Sequence, residues 1–482
     1  MLQTLKNAWK TKEIKGKILF TLFILLLYRL GTVIPVPFVE ANNFASSFSG
    51  TILDYMNTLS GGSLGTATLF ALGVSPYINA SIIIQLLAVV FPKLGEMAKN
   101  DKEKMNFITR IMTVGLAIVT AIGYYMLLKG SNGSSFLAKV ATPGEGPMAW
   151  FYAIVIVACY VAGASIIMWL AERINERGIG NGISIILFAN IVAAVPSFCY
   201  QLANFAIMTY SYHNYDVVVN PWLYPVLATI FAIVFVAFLI ALIAIVIWFT
   251  GSERRIPVQY AKKVVGRKMY GGQSSNLPIK LNMTGVMPII FASSIVSLLP
   301  TILMLCGVDG SGKTFWDKVY NLFGTNGVIY PVSLFLLIIG FTYFYTMITF
   351  DPVEISNNLK KQGGAIPGIR QGRPTSDYIS KILNKVNLVG ALFLGVIAVL
   401  PIILAPHIIQ PFINWVMSAP YDPSDSLYSL YMAYYVSPYV SGLTSTLTFG
   451  GTTLLIVVGV AIETFRELEA QLTMRNYKGF LG

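Results

Sequence analysis

Charged residues are scarce in this chain of 482 amino acids, at 11% where a soluble globular protein has about 25%. Apolar residues make up 55%, and the mean hydropathy is +0.69. A soluble core could not take up so many apolar side chains without leaving large apolar patches on the surface. The shortage of charge therefore excludes a soluble enzyme, a disordered tail and a fibrous protein, and it predicts a membrane protein with many spans.

Cysteine and histidine are also rare. The three cysteines, Cys159, Cys199 and Cys306, are too few and too scattered for a disulfide framework, and they form no CxxC motif. The two histidines, His213 and His407, lie far apart. No metal site or cofactor is predicted. No Ser-His-Asp set or carboxylate pair falls within the apolar runs, so the chain is not expected to be an enzyme.

Ten apolar runs are long enough to cross the hydrocarbon of a bilayer, which takes about 20 helical residues. They cover 18–35, 74–91, 107–128, 150–170, 183–205, 222–249, 285–305, 330–350, 386–405 and 441–462. The sequence thus predicts an all-α membrane protein. Polar residues interrupt the second and seventh runs, and such groups are costly unless they face protein or water. These two spans are therefore expected to line an interior. The first run is too long for a cleavable signal peptide and lacks a small-residue cleavage site.

Lysine and arginine are distributed unequally across these spans. Of 33 such residues, 28 fall on one side, counting Arg110 at the edge of the third run, and four on the other, with Arg29 inside the first span. The positive-inside rule places the richer side, with both termini, in the cytoplasm. Ten spans divide into halves of five, residues 1–215 and 216–482. An odd number per half inverts the second half, which is the arrangement of many transport proteins.

Three long segments between spans are distinctive. The basic loops 251–282 and 351–385 are expected to project into the cytoplasm. Such surfaces attract acidic lipid, RNA or an acidic protein face. Segment 406–440 contains the apolar stretch IIQPFINWVM, which predicts an amphipathic helix along the outer membrane interface.

Two glycine patterns imitate nucleotide-binding motifs. Residues 307–314 read GVDGSGKT and match GxxxxGK[ST] formally. A phosphate-binding loop needs a preceding strand and a following helix N-terminus. Here a membrane helix precedes the loop, and the loop lies on the non-cytoplasmic side. Gly178, Gly180 and Gly182 have GxGxG spacing and are interpreted as a tight turn before the fifth span. Neither pattern indicates an ATPase.

Six strings of sequence, which occur in order along the chain and overlap four of the ten spans, are specific to one family. They are FALGVSPYINASIIIQLL (70–87), ERGIGNGISIILFANIV (176–192), ERRIPVQYAKK (253–263), LPIKLNMTGVMPIIFASSI (277–295), NNLKKQGGAIPGIRQG (357–372) and FGGTTLLIVV (449–458). Through them the chain resembles the SecY family, the channel subunits of the bacterial Sec protein translocase. The resemblance implies two five-helix halves around an hourglass pore in the cytoplasmic membrane. Unfolded secretory chains would cross this pore, and hydrophobic helices would leave it sideways into lipid.

The resemblance also implies roles for residues within the membrane. The pore ring of branched aliphatic side chains falls on Val74, Ile78, Ile183, Leu187, Ile290 and Ile456. A plug helix falls on about 60–73, with an apolar face formed by Leu64, Leu69 and Phe70. The polar positions of the lateral gate, which the second and seventh spans form with the third and eighth, fall on Gln85 and Asn282.

Further implied roles concern partners. The two basic loops would dock the SecA motor ATPase and the ribosome through Arg254, Arg255, Lys262, Lys263, Arg267, Lys268, Lys360, Lys361, Arg370 and Arg373. Arg370 stands in a Pro-Gly-Ile-Arg turn that fixes its direction, and the family resemblance gives it particular weight. A SecE subunit would clamp the two halves, and SecG would bind at the periphery. The clients are secretory and membrane proteins, the surroundings are the lipid bilayer, and no specific DNA binding is expected.

Two other classes of protein remain as alternatives. A secondary solute carrier with inverted repeats usually keeps a charged group near mid-membrane, and Arg29 is the clear intramembrane charge here. Such a carrier would show saturable uptake of a small solute. An ATPase with a phosphate-binding loop would bind nucleotide and lose that binding on Lys313→Ala.

Overall fold

The computed structural model describes residues 2–40, 44, 52–129, 136–137, 149–211, 223–260, 263–265, 268–270, 274–306, 308, 314–324, 327, 329–418 and 450–478. Helices dominate these residues. Their bounds are α1 Leu2–Lys10, α2 Lys12–Gly31, α3 Ile52–Leu59, α4 Ser75–Val90, α5 Pro92–Asn100, α6 Lys102–Lys129, α7 Ala149–Arg177, α8 Gly182–Ser211, α9 Leu223–Gly251, α10 Met287–Leu305, α11 Phe315–Phe323, α12 Ile329–Thr349, α13 Pro352–Lys361, α14 Arg373–Leu404, α15 Gln410–Ser418 and α16 Gly450–Lys478.

Each of the ten predicted spans overlaps one of these helices: α2, α4, α6 to α10, α12, α14 and α16. By length and apolar composition, six helices among the described residues can cross a membrane, or seven if α4 and α5 count as one bent span. The helix α10 is apolar but shorter. The amphipathic helix predicted in 406–440 corresponds to α15, which follows a π-helical turn at Ala405–Ile409. The rest of that segment lies outside the described residues.

The helix α4 ends at a sharp bend. Phe91 has an extended backbone (φ −104°, ψ 108°), as expected for a residue before Pro92. The axis of the chain then turns by 118° into α5. The second predicted span is therefore a short helix, and α5 leaves its end at a sharp angle.

Five short strands form two small antiparallel sheets in the predicted basic loops, so the all-α prediction holds for the membrane part and misses these sheets. The strand β1 (Glu253–Tyr260) pairs on one side with β4 (Ser274–Lys280) and on the other with β5 (Gly364–Ala365). A separate hairpin joins β2 (Lys263–Val265) to β3 (Lys268–Tyr270). The pairing of β1 with β5 joins the two basic loops into one body, which we call the basic platform.

The basic platform has its own apolar core. Ile256 and Ile279 of the sheet pack with Leu359 of α13 and with Ile379 and Leu383 of α14. Side chains of strand β1 point alternately to the two faces of the sheet, so Ile256 and Val258 are buried in this core while their neighbours are not. The platform is thus a folded unit and not a pair of flexible loops.

Both ends of the described chain lie on the side of the bundle that carries this platform. The helix α1 packs against α16, and Ala8 of α1 and Ile14 of α2 share an apolar cluster with Leu468 of α16. Arg466 of α16 donates from Nη2 to the carbonyl oxygen of Thr250 at 2.9 Å, and Thr250 lies at the end of α9 that leads into β1. This arrangement agrees with an even number of membrane crossings.

The outer surface of the bundle is apolar. Large aliphatic and aromatic side chains of α2, α6 and α9 are more than half exposed, among them Phe23, Val119, Ile233 and Trp248. Patches of this extent would drive association in water. In a bilayer they face lipid, which is the environment that the composition predicts.

Candidate functional site

The six residues of the predicted ring come from four helices and meet in one apolar cluster. Val74 precedes the first turn of α4, and Ile78 lies on that helix; Ile183 and Leu187 belong to α8, Ile290 to α10 and Ile456 to α16. All but Ile183 are at most 4% exposed, and Ile183 packs against the same cluster. The i, i+4 spacing of the pairs on α4 and α8 puts both members on one helix face.

A tight turn brings the start of α8 against α7, as the glycine spacing predicts. Gly180 has φ +78°, and a Cβ on Gly182 would overlap the Ala171 carbonyl oxygen. The Gly182 N–H donates to Asn175 Oδ1 at 2.7 Å. Without a side chain at Gly182, Ile183 can enter the cluster directly after the turn.

Residues 60–73 form consecutive turns, so the prediction of a short helix over this range is wrong. The short helix is α3, and it ends just before, at Leu59. Gly61, Gly62 and Gly73 adopt positive φ values of 71°, 89° and 57°, which a right-handed helix cannot include. We call residues 60–73 the turn segment.

The turn segment is firmly packed. Phe70 lies within the cluster of the ring, and Leu69 packs against that cluster. Leu64 instead belongs to a second cluster between α6 and α7. Tyr124 of α6 donates to the Leu64 carbonyl oxygen at 2.5 Å. The absence of a side chain at Gly163 of α7 makes room for the Leu69 carbonyl oxygen, which a Cβ would overlap.

One hydrogen bond between side chains crosses the seam that α4 forms with α10 and α12. Tyr345 of α12 donates from Oη to Gln85 Oε1 at 2.5 Å, and Gln85 Nε2 donates to Ser81 Oγ at 2.9 Å. No hydrogen bond joins Gln85 to Asn282. The Asn282 side chain is 7% exposed, and its Oδ1 has no hydrogen-bond partner among the described residues. The structure therefore places Gln85 at the contact between helices and Asn282 beside the start of α10.

Sequence reasoning did not single out Tyr345. It stands in an apolar span with several other aromatic residues, and its hydroxyl group is the only sign of a polar contact. Tyrosines in membrane helices usually pair their hydroxyl group when it is buried. That rule selects Tyr345 together with other tyrosines and does not identify its partner.

The basic platform presents exposed cationic side chains. Arg254, Arg255, Lys360, Lys361, Arg370 and Arg373 are all exposed. Lys262 and Arg267 lie outside the described residues, and Lys263 and Lys268 are described only as members of β2 and β3. The six exposed sites from the two loops thus lie on one folded unit.

The backbone around Arg370 is fixed on both sides, as the Pro-Gly-Ile-Arg string predicts. Ile369 N–H donates to the Ile366 carbonyl oxygen at 3.1 Å, and Thr375 Oγ1 donates to the Arg370 carbonyl oxygen at 2.8 Å. Gly368 and Gly372 have φ values of 81° and 98°. These contacts hold the exposed arginine at a defined corner of the platform.

Sequence reasoning also left Lys280 out of the platform's set of sites. It lies at the end of β4, opposite Glu253 of β1. Partial burial and the neighbouring Arg466 lower the pKa of the Lys280 ammonium group, and Glu253 acts in the opposite direction. The platform therefore concentrates positive charge where it meets α16.

The glycine pattern at 307–314 does not form a nucleotide site in its described part. The preceding element is α10, a helix and not a strand. Thr314 caps the N-terminus of α11 through a reciprocal capping box with Asp317, and Thr314 N–H donates to Asp317 Oδ2 at 2.8 Å. Residues 307 and 309–313 lie outside the described residues. Thr314 acts as a helix cap.

Comparison with known proteins agrees with this architecture. Residues 68–465 match the SecY family. The protein translocase subunit SecY of Streptomyces galbus is 36% identical over 492 residues, and that of Mycobacterium bovis is 37% identical over 495, each with 100% of both chains covered. Among solved structures, "The structure of a protein conducting channel" has a TM-score of 0.59 at 16% identity, covering 95% of this chain and 92% of that one. "Sec61 in the Canine ribosome-channel complex from the endoplasmic reticulum" has a TM-score of 0.55 at 15% identity, with the same coverage.

The apolar surface, the helical bundle and the shared fold define an all-α membrane protein with many spans. The chain belongs to the SecY family, the protein-conducting channels of the Sec translocase. Its function is transport and not catalysis, as the sequence predicts.

Proposed function

We propose that the six-residue ring is the constriction of the translocation path and that the turn segment is its plug. The observation that carries this proposal is the single apolar cluster in which ring side chains from four helices meet Phe70 and Leu69 of the turn segment. A narrow apolar constriction excludes water and ions by dewetting. Branched aliphatic side chains are also compliant enough to surround a passing polypeptide of varied sequence.

The seam between α4 and the pair α10 and α12 is the lateral gate. Support comes from a side-chain hydrogen bond across this seam, from Tyr345 to Gln85, within otherwise apolar contacts. A hydrophobic signal sequence binds the open seam and shifts the balance between closed and open states. Membrane helices leave the channel for lipid by this route.

The chain crosses the cytoplasmic membrane of a bacterium ten times, as two halves of five spans (1–215 and 216–482) with both termini in the cytoplasm. The helix α1, the end of α16 and the basic platform lie on the same side of the bundle, and this supports the orientation. The exposed arginines and lysines of the platform, with Arg370 at its corner, dock the SecA motor or the ribosome. SecE and SecG complete the complex.

Site-specific photo-crosslinking tests the ring. A photoreactive residue replaces Ile78, and a matched variant carries it at Val119, which is 64% exposed on the lipid side of α6. Each variant is reconstituted with its partner subunits and given a stalled secretory chain. We expect crosslinks to the secretory chain from position 78 and none from position 119.

Two other results would count against this proposal. If a stalled chain is bound but position 78 stays silent, the ring is assigned to the wrong residues. If no chain binds under active conditions and a small solute is taken up with saturation, the path is that of a solute carrier.

A further inference from the structure

Arg29 is a charge well inside the first predicted span, and the proposed function leaves it without a role. It lies near the end of α2, and its Nη2 donates to the Ala189 carbonyl oxygen of α8 at 2.5 Å. It forms no ion pair with a carboxylate among the described residues. A guanidinium group at membrane depth is costly, so its retention requires a specific task.

Asn190, the next residue of α8, connects two further elements. Its Nδ2 donates to Tyr28 Oη of α2 at 2.8 Å and to the Leu59 carbonyl oxygen at the end of α3 at 2.7 Å. The side chain is completely buried. Asn190 thus connects α2 and α8 to the last residue before the turn segment.

Gly61 fits between these two side chains. A Cβ on Gly61 would lie 2.9 Å from Arg29 Nη1 and 2.9 Å from Asn190 Oδ1. The start of the turn segment therefore passes through a gap whose walls are one guanidinium group and one buried amide. Near the other end of the segment, the ring of Phe70 stacks on that of Tyr28 in α2, with the ring centroids 5.5 Å apart.

We propose that Arg29 and Asn190 are positioning residues that hold the start of the turn segment and so keep the plug in its closed position. This inference rests on the proposed function of that segment as a plug. The buried bond from Asn190 to the carbonyl oxygen of Leu59, the residue directly before the segment, ties the start of the segment to α8. Such bonds are directional, and their loss leaves buried polar groups unpaired. The polar contacts therefore fix a position that apolar packing alone leaves free to slide.

Two neighbouring glycines provide a matched test. Gly61 and Gly62 both have positive φ, so alanine strains the backbone at either position. A Cβ on Gly61 meets Arg29 and Asn190, whereas one on Gly62 meets no atom within 4 Å. The complete translocase is reconstituted into vesicles with an entrapped dye, and dye leak is measured without a client.

We expect Gly61→Ala to leak about tenfold faster than Gly62→Ala, the ratio that corresponds to about 1.4 kcal/mol, near the value of one hydrogen bond. Equal leak from the two variants would overturn the proposal. Asn190→Ala should also raise the leak of the full chain.

A deletion of residues 63–70 separates the positioning role from a general loss of structure. In that background Asn190→Ala should add nothing, because no plug remains to be held. If Asn190→Ala still adds leak there, its role is structural and the inference is wrong. If the deletion alone leaves the vesicles tight, the proposed plug function fails instead.

Discussion

Replacing Tyr345 by phenylalanine should loosen the seam between α4 and α12. The substitution removes the hydroxyl group that donates to Gln85 Oε1 and keeps the aromatic ring. The ring lies 5.2 Å from that of Phe291 and 5.9 Å from that of Phe344, so these contacts remain. Gln85 keeps its bond to Ser81, but its oxygen loses the Tyr345 donor.

The expected effect is modest. Hydrogen bonds between membrane helices contribute about 0.6 kcal/mol on average, because the separated helices also find partners. At room temperature this corresponds to about a threefold shift of the closed-to-open equilibrium. The shift favours the open seam, so weakly hydrophobic signal sequences should gain most.

The assay is the rate at which the reconstituted complex accepts a signal sequence of reduced hydrophobicity. Tyr345→Phe should raise this rate about threefold, and a double-mutant cycle with Gln85→Leu should give a coupling energy of about 0.6 kcal/mol. Tyr343→Phe is the matched control, since its hydroxyl group makes a long contact of 3.4 Å with the Asn384 carbonyl oxygen on the same half. Strict additivity of the Tyr345 and Gln85 changes, or an equal gain from Tyr343→Phe, would refute the reasoning.

Two further predictions concern packing. Gly163→Ala should lower the melting temperature and raise the ion leak, because its Cβ would overlap the Leu69 carbonyl oxygen. Gly115→Ala is the control and should do neither, since its Cβ would meet no atom within 4 Å. A normal seal in the Gly163 variant would contradict the close contact. Ile256→Ala should destabilise the basic platform by about 2–5 kcal/mol through the cavity it leaves. Limited proteolysis of the platform should detect this, and Val353→Ala at an exposed position should leave the cleavage rate unchanged.

The helices of the membrane part were predictable because one physical requirement dominates them. Backbone groups in hydrocarbon must be paired within the segment, so a long apolar run has little choice but to be helical. The sequence also carries a signal for the bend after α4, because Pro92 disfavours helical backbone at Phe91. Hydropathy reports neither the bend angle nor which helices touch.

The turn segment shows where local reasoning fails. The family resemblance implied a short helix at about 60–73, but Gly61 and Gly62 take the left-handed conformation and end α3. The N–H of Gly62 then bonds the Asn57 carbonyl oxygen, as at many helix C-termini. Gly61 also lies in the gap between Arg29 and Asn190, and local sequence does not reveal this gap because α2 and α8 are distant in sequence.

The basic platform was missed for a similar reason. The strand β1 pairs with β5 across the whole of α10 to α13, and a pairing of such separation leaves no periodic mark in either segment. The positive charge was visible in the sequence, but the fold that gathers it depends on Ile256, Leu359 and Ile379 meeting in one core. Composition indicated that the positive charge attracts an acidic partner. The structure adds that this charge stands on a folded unit.

The contacts of the turn segment differ in kind between its two sides. Toward the first half of the chain it is held by directed hydrogen bonds: the Leu69 N–H donates to the Ile34 carbonyl oxygen at 2.9 Å, and Tyr124 donates to the Leu64 carbonyl oxygen. Its apolar contacts are shared: Phe70 stacks on Tyr28 of the first half and belongs to the buried cluster that also contains Ile290 and Ile456 of the second half. Apolar contacts have no preferred direction and can part or slide as long as both faces stay covered. If the second half moves away at the seam, the hydrogen bonds of the segment to the first half do not have to break. We therefore expect opening sideways to lipid and release of the seal to be two separate steps with separate energetic costs.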